Sequence, residues 1–361
     1  MSALAIEAPA QYRAGAFALL GTLLAELGNV YATSDDHWKD ERERLLKHRI
    51  SELGLTIEGT AVERLATRLY DELRERGLAF FPPVYLSDQW GCPDGIPIIG
   101  VPFYLADPRL ARIEEEEAMS VETEDEMMRY LRHEAGHAYN YAFRLHDDAD
   151  WHRLFGPYSR PYRDRFRVDP LSRAHVRHIL GWYAQKHPDE DFAETFAVWL
   201  TPDLNWREAY KGWAALKKLK YVDKVMRTLH GAETTVPLPS EDDLPVHAMH
   251  YTVEEHYGDE ERLGITDERH FDGDLRSLFA ASPAEGERAG EFLRRHHREI
   301  VGRVSYWTGE GVMPVRTLVD LLANRSDALE LVVRGREAST LIEVTAFATA
   351  VMMNVRYSGA I

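Results

Sequence analysis

His133 and His137 stand four residues apart inside Glu124–Arg144. There Met127, Met128, Leu131, Ala135, Ala138, Tyr141 and Ala142 recur at three- and four-residue spacing. That period predicts one long helix. On a helix, positions i and i+4 share a face, with Cβ atoms about 5–6 Å apart, so two imidazoles can meet at one ion. This constrains the fold. An apolar helix must be buried, so a polar centre has to be completed inside the core by another element. Zinc suits imidazole and carboxylate donors in tetrahedral geometry, and its catalytic sites use three protein ligands and one open position. Glu134, next to the first histidine, sits beside the same face and can reach a metal-bound water as general base.

The third donor must come from farther along the chain. Pro188–Leu200 reads as a second helix, opened by Pro188 at a first-turn position. It carries Glu190 and Glu194 at i and i+4 among Phe192, Phe196, Val198, Trp199 and Leu200. Solvated glutamates are not expected on so apolar a segment. The gap from His137 is long enough for an antiparallel return past the first helix. One glutamate can bind the ion while the other receives a histidine N–H. Spacing alone leaves open which does which.

Pro9–Leu27, Ser34–Leu53 and Thr60–Gly77 read as helices, with Asp35, Asp36 and Thr60 as N-caps. Phe80–Leu86 and Ile96–Leu105 take strand character around the turn-rich Trp90–Gly95, in which Cys92 reads as a turn residue. Tyr210–Leu229, Glu287–Trp307, Pro314–Ala323 and Ala338–Arg356 read as helices. The expected fold is α+β and helix-rich, with a small sheet on the motif helix. Ile96–Leu105 is expected at the sheet edge, where an extended substrate could add as a strand. Four regions follow: an N-terminal helical region 1–78, a catalytic domain 79–232, an acidic connector 233–284 and a C-terminal helical unit 285–361.

The chain has 361 residues and a net charge of −17, which argues against nucleic acid and anionic membrane as partners. The charge is not evenly spread. Ala111–Glu126 holds eight acids against one base, and Pro239–Glu291 holds fifteen against four. The first reads as a solvated loop and helix start, the second as a partly irregular connector. Between Trp151 and Leu180 the sign reverses, with seven arginines against two aspartates. Arginine forks match carboxylates and phosphates. Arg173 and Arg177, with His178, are therefore candidate contacts for an anionic substrate. Cys92 is the one cysteine, so no internal disulfide forms, which fits a reducing, cytoplasmic setting. The apolar stretch Ala16–Gly28 is too short to span a bilayer, and no spanning helix is expected. Neither a GxxxxGK[ST] loop nor a GxSxG elbow occurs.

Four phrases carry a resemblance: Trp90-Gly-Cys-Pro-Asp-Gly95, Pro102-Phe-Tyr-Leu-Ala-Asp-Pro-Arg109, Leu131-Arg-His-Glu-Ala-Gly-His137 and Asp191-Phe-Ala-Glu-Thr-Phe-Ala-Val-Trp-Leu200. Over about Tyr85–Met226 the chain resembles the putative zinc-binding metallopeptidases of bacteria. More broadly the site resembles the gluzincin class of zincins. The resemblance implies a zincin-like core holding Zn2+, with His133, His137 and Glu190 as ligands and Glu194 as the acid that orients one of them. Glu194 as ligand is the alternative. In lethal-factor-like gluzincins a tyrosine lies seven residues before the liganding glutamate, a position Tyr183 occupies here. It implies a donor to the developing oxyanion. The expected activity is zinc-dependent cleavage of a peptide or amide bond. The alternatives are a biosynthetic zinc amidase for a small acidic molecule, and a zinc-binding interaction module without turnover. Glu134 argues against the last, since a structural zinc site needs no general base.

Overall fold

The computed structural model describes residues 35–117, 121–163, 166–179, 181–234, 236–239, 244–258, 268–281, 286–333 and 335–358. The expected helix Pro9–Leu27, the stretch Ala16–Gly28 and the side chains of Asp35 and Asp36 lie outside them. The chain forms two compact units, residues 1–48 and 49–361. In the first, Asp35–Leu46 is a helix (α1).

The second unit opens with α2 (Ala61–Glu75), whose N-cap Thr60 accepts a hydrogen bond from Glu63 N–H. Strands β1 (Val84–Ser87) and β2 (Ile99–Pro102) follow, then α3 (Pro108–Glu117), α4 (Glu124–Ala142), α5 (Ala149–Phe155), α6 (Pro188–Leu200) and α7 (Leu216–Thr228). One hydrophobic cluster joins these elements apart from α3: Leu65, Leu69 and Leu73 of α2, Met128, Leu131 and Tyr139 of α4, Phe192 and Phe196 of α6, and Leu219 and Val222 of α7 take part in it. A second cluster collects α9 (Asp272–Leu278), α10 (Ala289–Arg295), α11 (His297–Thr308), α12 (Val312–Ala328) and α13 (Glu337–Ser358), after a short α8 (Val253–Gly258). Its two-residue strands Ala280–Ala281 and Leu331–Val332 pair antiparallel.

Several expectations change. The strands are shorter and pair in parallel, in register Val84↔Ile99 to Ser87↔Pro102. Pro102 has no N–H to continue the ladder, and the chain turns into a 3-10 helix at Phe103–Ala106. The loop after β1 doubles back onto the outer edge of β2: Gly100 N–H donates to Gly91 O at 2.7 Å, and Gly91 N–H returns to Gly100 O at 3.2 Å. With Gly91 and Pro102 there, β2 offers no open run of donors for an added strand. Part of the first acidic stretch is α3, because Leu110 and Ile113 share a buried face. Gly212, at φ +80°, delays the start of α7. Glu287–Trp307 is broken at His296 into α10 and α11.

The expectation of no spanning segment also changes. By length and composition, Glu337–Val355 is long and apolar enough to cross a membrane, with mean hydropathy 1.4. Its charged residues are Glu337 and Glu343 alone. Val344, Ala348 and Met352 of this helix are buried in the second cluster.

Candidate metal centre

Local signals place α4 and α6. Thr123 and Glu126 form a capping box at the start of α4: Thr123 Oγ1 accepts from Glu126 N–H, and Glu126 Oε2 accepts from Thr123 N–H. Glu124, Asp125 and Glu126 lie at the positive end of the helix dipole. On α6, Pro188 holds a first-turn position and His187 is the N-cap, its Nδ1 accepting from Asp189 N–H at 3.2 Å. Every residue of α6 is buried.

The two helices cross at Gly136 and Ala193. A Cβ on Gly136 would lie 2.7 Å from Ala193 Cα and 2.9 Å from Ala193 O. Only glycine allows that approach. Beside it Tyr139 stacks on Phe196, with centroids 5.1 Å apart. Beneath α4, Arg132 makes a bidentate pair with Glu72 of α2, both bonds 2.7 Å, and both side chains are buried.

The crossing brings three donors to one point. His133 Nε2 lies 3.0 Å from Glu190 Oε2, His137 Nε2 lies 3.1 Å from the same oxygen, and the two Nε2 atoms are 3.1 Å apart. Each Nδ1 is taken by another carboxylate. His133 Nδ1 donates to Glu194 Oε1 at 3.0 Å, and His137 Nδ1 donates to Asp189 Oδ2 at 2.9 Å. With each Nδ1–H so held and the rings neutral, both Nε2 lone pairs face the Glu190 carboxylate. Converging acceptors of this kind require a cation. Protons can also answer the demand. Burial disfavours the charged imidazolium at His133, but hydrogen bonds to Glu190 and Glu194 outweigh it and carry its pKa to about 9. Burial acts the same way on His137, and the Asp189 and Glu190 charges raise it well above the ordinary range. Burial would raise Glu190, yet the two histidines hold it well below the usual carboxylate range. The triangle fits zinc: tetrahedral bonds of about 2.0–2.1 Å place donors about 3.3 Å apart.

The orienting acids are themselves held. Glu194, fully buried, accepts from the backbone N–H of His178 and of Ile179. Asp189 accepts from Asn140 Nδ2 at 2.6 Å and from the Tyr141 hydroxyl. The role of Asp189 was not anticipated. Its one signal is its place in the acid run Asp189-Glu190-Asp191 at the head of α6. Asp191 turns the other way and pairs with the buried Lys218.

A cavity of about 410 Å³ opens over the three donors, walled by Trp90, Cys92, Glu134, Arg160, Tyr162 and Tyr183 among others. The Glu134 carboxylate makes no hydrogen bond to any described residue, and burial raises its pKa. Tyr183 stands edge-on to His133, with centroids 5.6 Å apart, and its hydroxyl is 3.4 Å from that of Tyr162. Trp182, left-handed at φ 55°, turns the chain so that its own ring packs on Tyr306 and Trp307 while Tyr183 enters the cavity. Tyr162 donates to Glu190 Oε1, and sequence reasoning missed it. Cys92 lines the cavity, its thiol donating to Ile96 O, and burial pushes its pKa well up. Arg173, Arg177 and His178 do not line it. Arg173 and Arg177 lie over the Trp213 ring. His178 Nε2 donates to Arg129 O at 3.0 Å, and burial lowers its pKa to about 4. Among the described residues, the arginine on the cavity wall is Arg160.

Two histidines one helical turn apart and a glutamate from a crossing helix define a buried three-donor metal centre of the His–His–Glu kind. Residues 99–225, which carry the whole centre, match the family described as "Putative zinc-binding metallo-peptidase". The family is zinc-binding, and His133, His137 and Glu190 form a cluster able to hold that ion. No curated protein and no solved structure matches the chain.

Proposed function

We propose that the chain is a zinc-dependent peptidase of the gluzincin type, built on a zincin-like core. One observation carries the reading: the unpartnered Glu134 carboxylate borders the same cavity as three converging metal donors. His133, His137 and Glu190 would hold the ion. Zinc bound there supplies a Lewis acid that polarises a carbonyl and lowers the pKa of water toward about 7. Glu134 accepts the proton of the attacking water and delivers it to the leaving nitrogen. Burial raises the pKa of Tyr183, which keeps its hydroxyl protonated as a donor to the developing oxyanion. Asp189 and Glu194 hold each Nδ1–H, so that both Nε2 atoms stay turned to the ion.

A second reading is favoured by the closed edge of β2 and by a cavity near the small end of the usual range of about 300–1,000 Å³. In it the substrate is a small amide rather than a long extended peptide. The test common to both is Glu134→Gln. Zinc content stays at the wild-type level, while cleavage of a peptide library and of small amides falls by about 10² to 10⁴. Undiminished cleavage would remove Glu134 from its role.

A further inference from the structure

We infer that Arg160 anchors a carboxylate of the substrate at the end of the cavity beyond Tyr162 and Tyr183. The inference rests on the hydrolase reading above. Of the described arginines between Trp151 and Leu180, Arg160 is the one that walls the cavity. Arg153 is paired with Asp150, and Arg173 and Arg177 lie over Trp213. Among the described residues no carboxylate lies within ion-pair distance of Arg160. Its side-chain hydrogen bond is a long one, 3.5 Å to Lys186 O. The guanidinium is therefore available, and apart from the histidines the other charged groups on the cavity wall are acidic. Asp94 accepts from the Tyr158 hydroxyl, Asp189 and Glu190 serve the histidines, and Glu134 faces the cavity.

The backbone under Arg160 is held in place. Arg160 O accepts from His187 Nε2 at 2.7 Å, and His187 is the N-cap of α6, three residues before Glu190. The anchor is thus tied to the helix that carries a metal donor. A second cation stands at the same end: Lys186 Nζ lies 4.3 Å from the Tyr162 ring centroid and 5.2 Å from that of Tyr183. The field then runs across the cavity. Glu134, Asp189, Glu190 and Glu194 offset the charge of an ion held at the three donors, while Arg160 on the wall and Lys186 beside the Tyr162 and Tyr183 rings attract a substrate carboxylate away from it. That orientation presents the neighbouring amide, not the carboxylate, to the metal centre. The carboxylate could be the C-terminus of a peptide or an acidic side chain, and the chemistry at Arg160 is the same for both.

The test uses zinc-loaded full-length Glu134→Gln protein, with and without Arg160→Ala, titrated calorimetrically with three acetylated tetrapeptides. The first ends in a free carboxylate and has no acidic side chain. The second is its C-terminal amide, and the third is that amide with one glutamate introduced. A preference of about tenfold for the first over the second, lost in Arg160→Ala, supports the anchor and assigns it to the terminal carboxylate. The same preference for the third, again lost, supports it and assigns it to an acidic side chain. Equal affinities, no measurable binding, or a preference that survives Arg160→Ala overturns it. Unsubstituted protein is assayed for cleavage in parallel. If it cleaves no amide while the Arg160-dependent preference is present, the anchor stands and the hydrolase reading falls. Cleavage without the preference gives the reverse result.

Discussion

Gly136→Ala separates two effects that glycine can have in a helix. In an exposed helix interior the change would stabilise by about 1 kcal/mol, because alanine has the better helix propensity. Here the new methyl would sit 2.7 Å from Ala193 Cα, 2.9 Å from its O and 3.2 Å from its C. Carbon–carbon contact is comfortable at about 3.5–4.0 Å, so α4 and α6 must part by about 1 Å at the crossing. Overpacking of this kind costs about 1–3 kcal/mol. A loss of 1 kcal/mol lowers the melting temperature of a large unit by about 2–4 °C, so a fall of about 2–12 °C is expected. The same shift separates His133 and His137 from Glu190, which now lie 3.0–3.1 Å apart. Metal–ligand distances tolerate only about 0.2 Å, so zinc affinity drops by tenfold or more. Thermal melting of the metal-free protein and competition with a zinc chelator read the two effects separately. A variant that melts higher and binds zinc normally would refute the reasoning, for it would show that the helices do not meet through Gly136.

Three further outcomes follow from the contacts around the centre. Asp189→Asn keeps the shape but removes the charge that holds His137 Nδ1–H, and zinc affinity should fall about 10–100-fold by chelator competition while the fold persists. Arg132→Met takes the bidentate partner from the buried Glu72, leaves it only the exposed Arg68 at 3.4 Å, and should cost up to about 3–5 kcal/mol in denaturant unfolding; Glu72→Met added to it should restore much of the loss. Burial lowers the pKa of His178 to about 4, below its unfolded value near 6.5, so its neutral form favours the fold. Its contribution is complete above about pH 6.5 and is lost as pH falls toward about 4. In His178→Gln, whose amide can still donate to Arg129 O, urea midpoints measured across that range should fall less steeply than in the unchanged protein.

Helical period made the pair His133 and His137 legible, because a four-residue spacing on an apolar helix has one geometric outcome. The same rule joined Glu190 to Glu194, and Pro188 marked the start of their helix. Capping chemistry made the start of α4 readable from Thr123 and the acids after it. These signals are local: each depends on residues within a turn of one another. What tertiary packing decided is nonlocal. Which glutamate faces the ion depends on how α6 is rotated against α4, and the contact at Gly136 and Ala193 sets that rotation. Asp189 reaches His137 only because the helices cross there, and Tyr162 meets Glu190 from a segment with no regular period. The basic segment shows the difference most plainly. Its composition suggested an anionic substrate, but composition carries no direction. Folding lays Arg173 and Arg177 on Trp213 and brings Arg160 to the cavity wall, because the bond from His187 to Arg160 O ties that one residue to the head of α6.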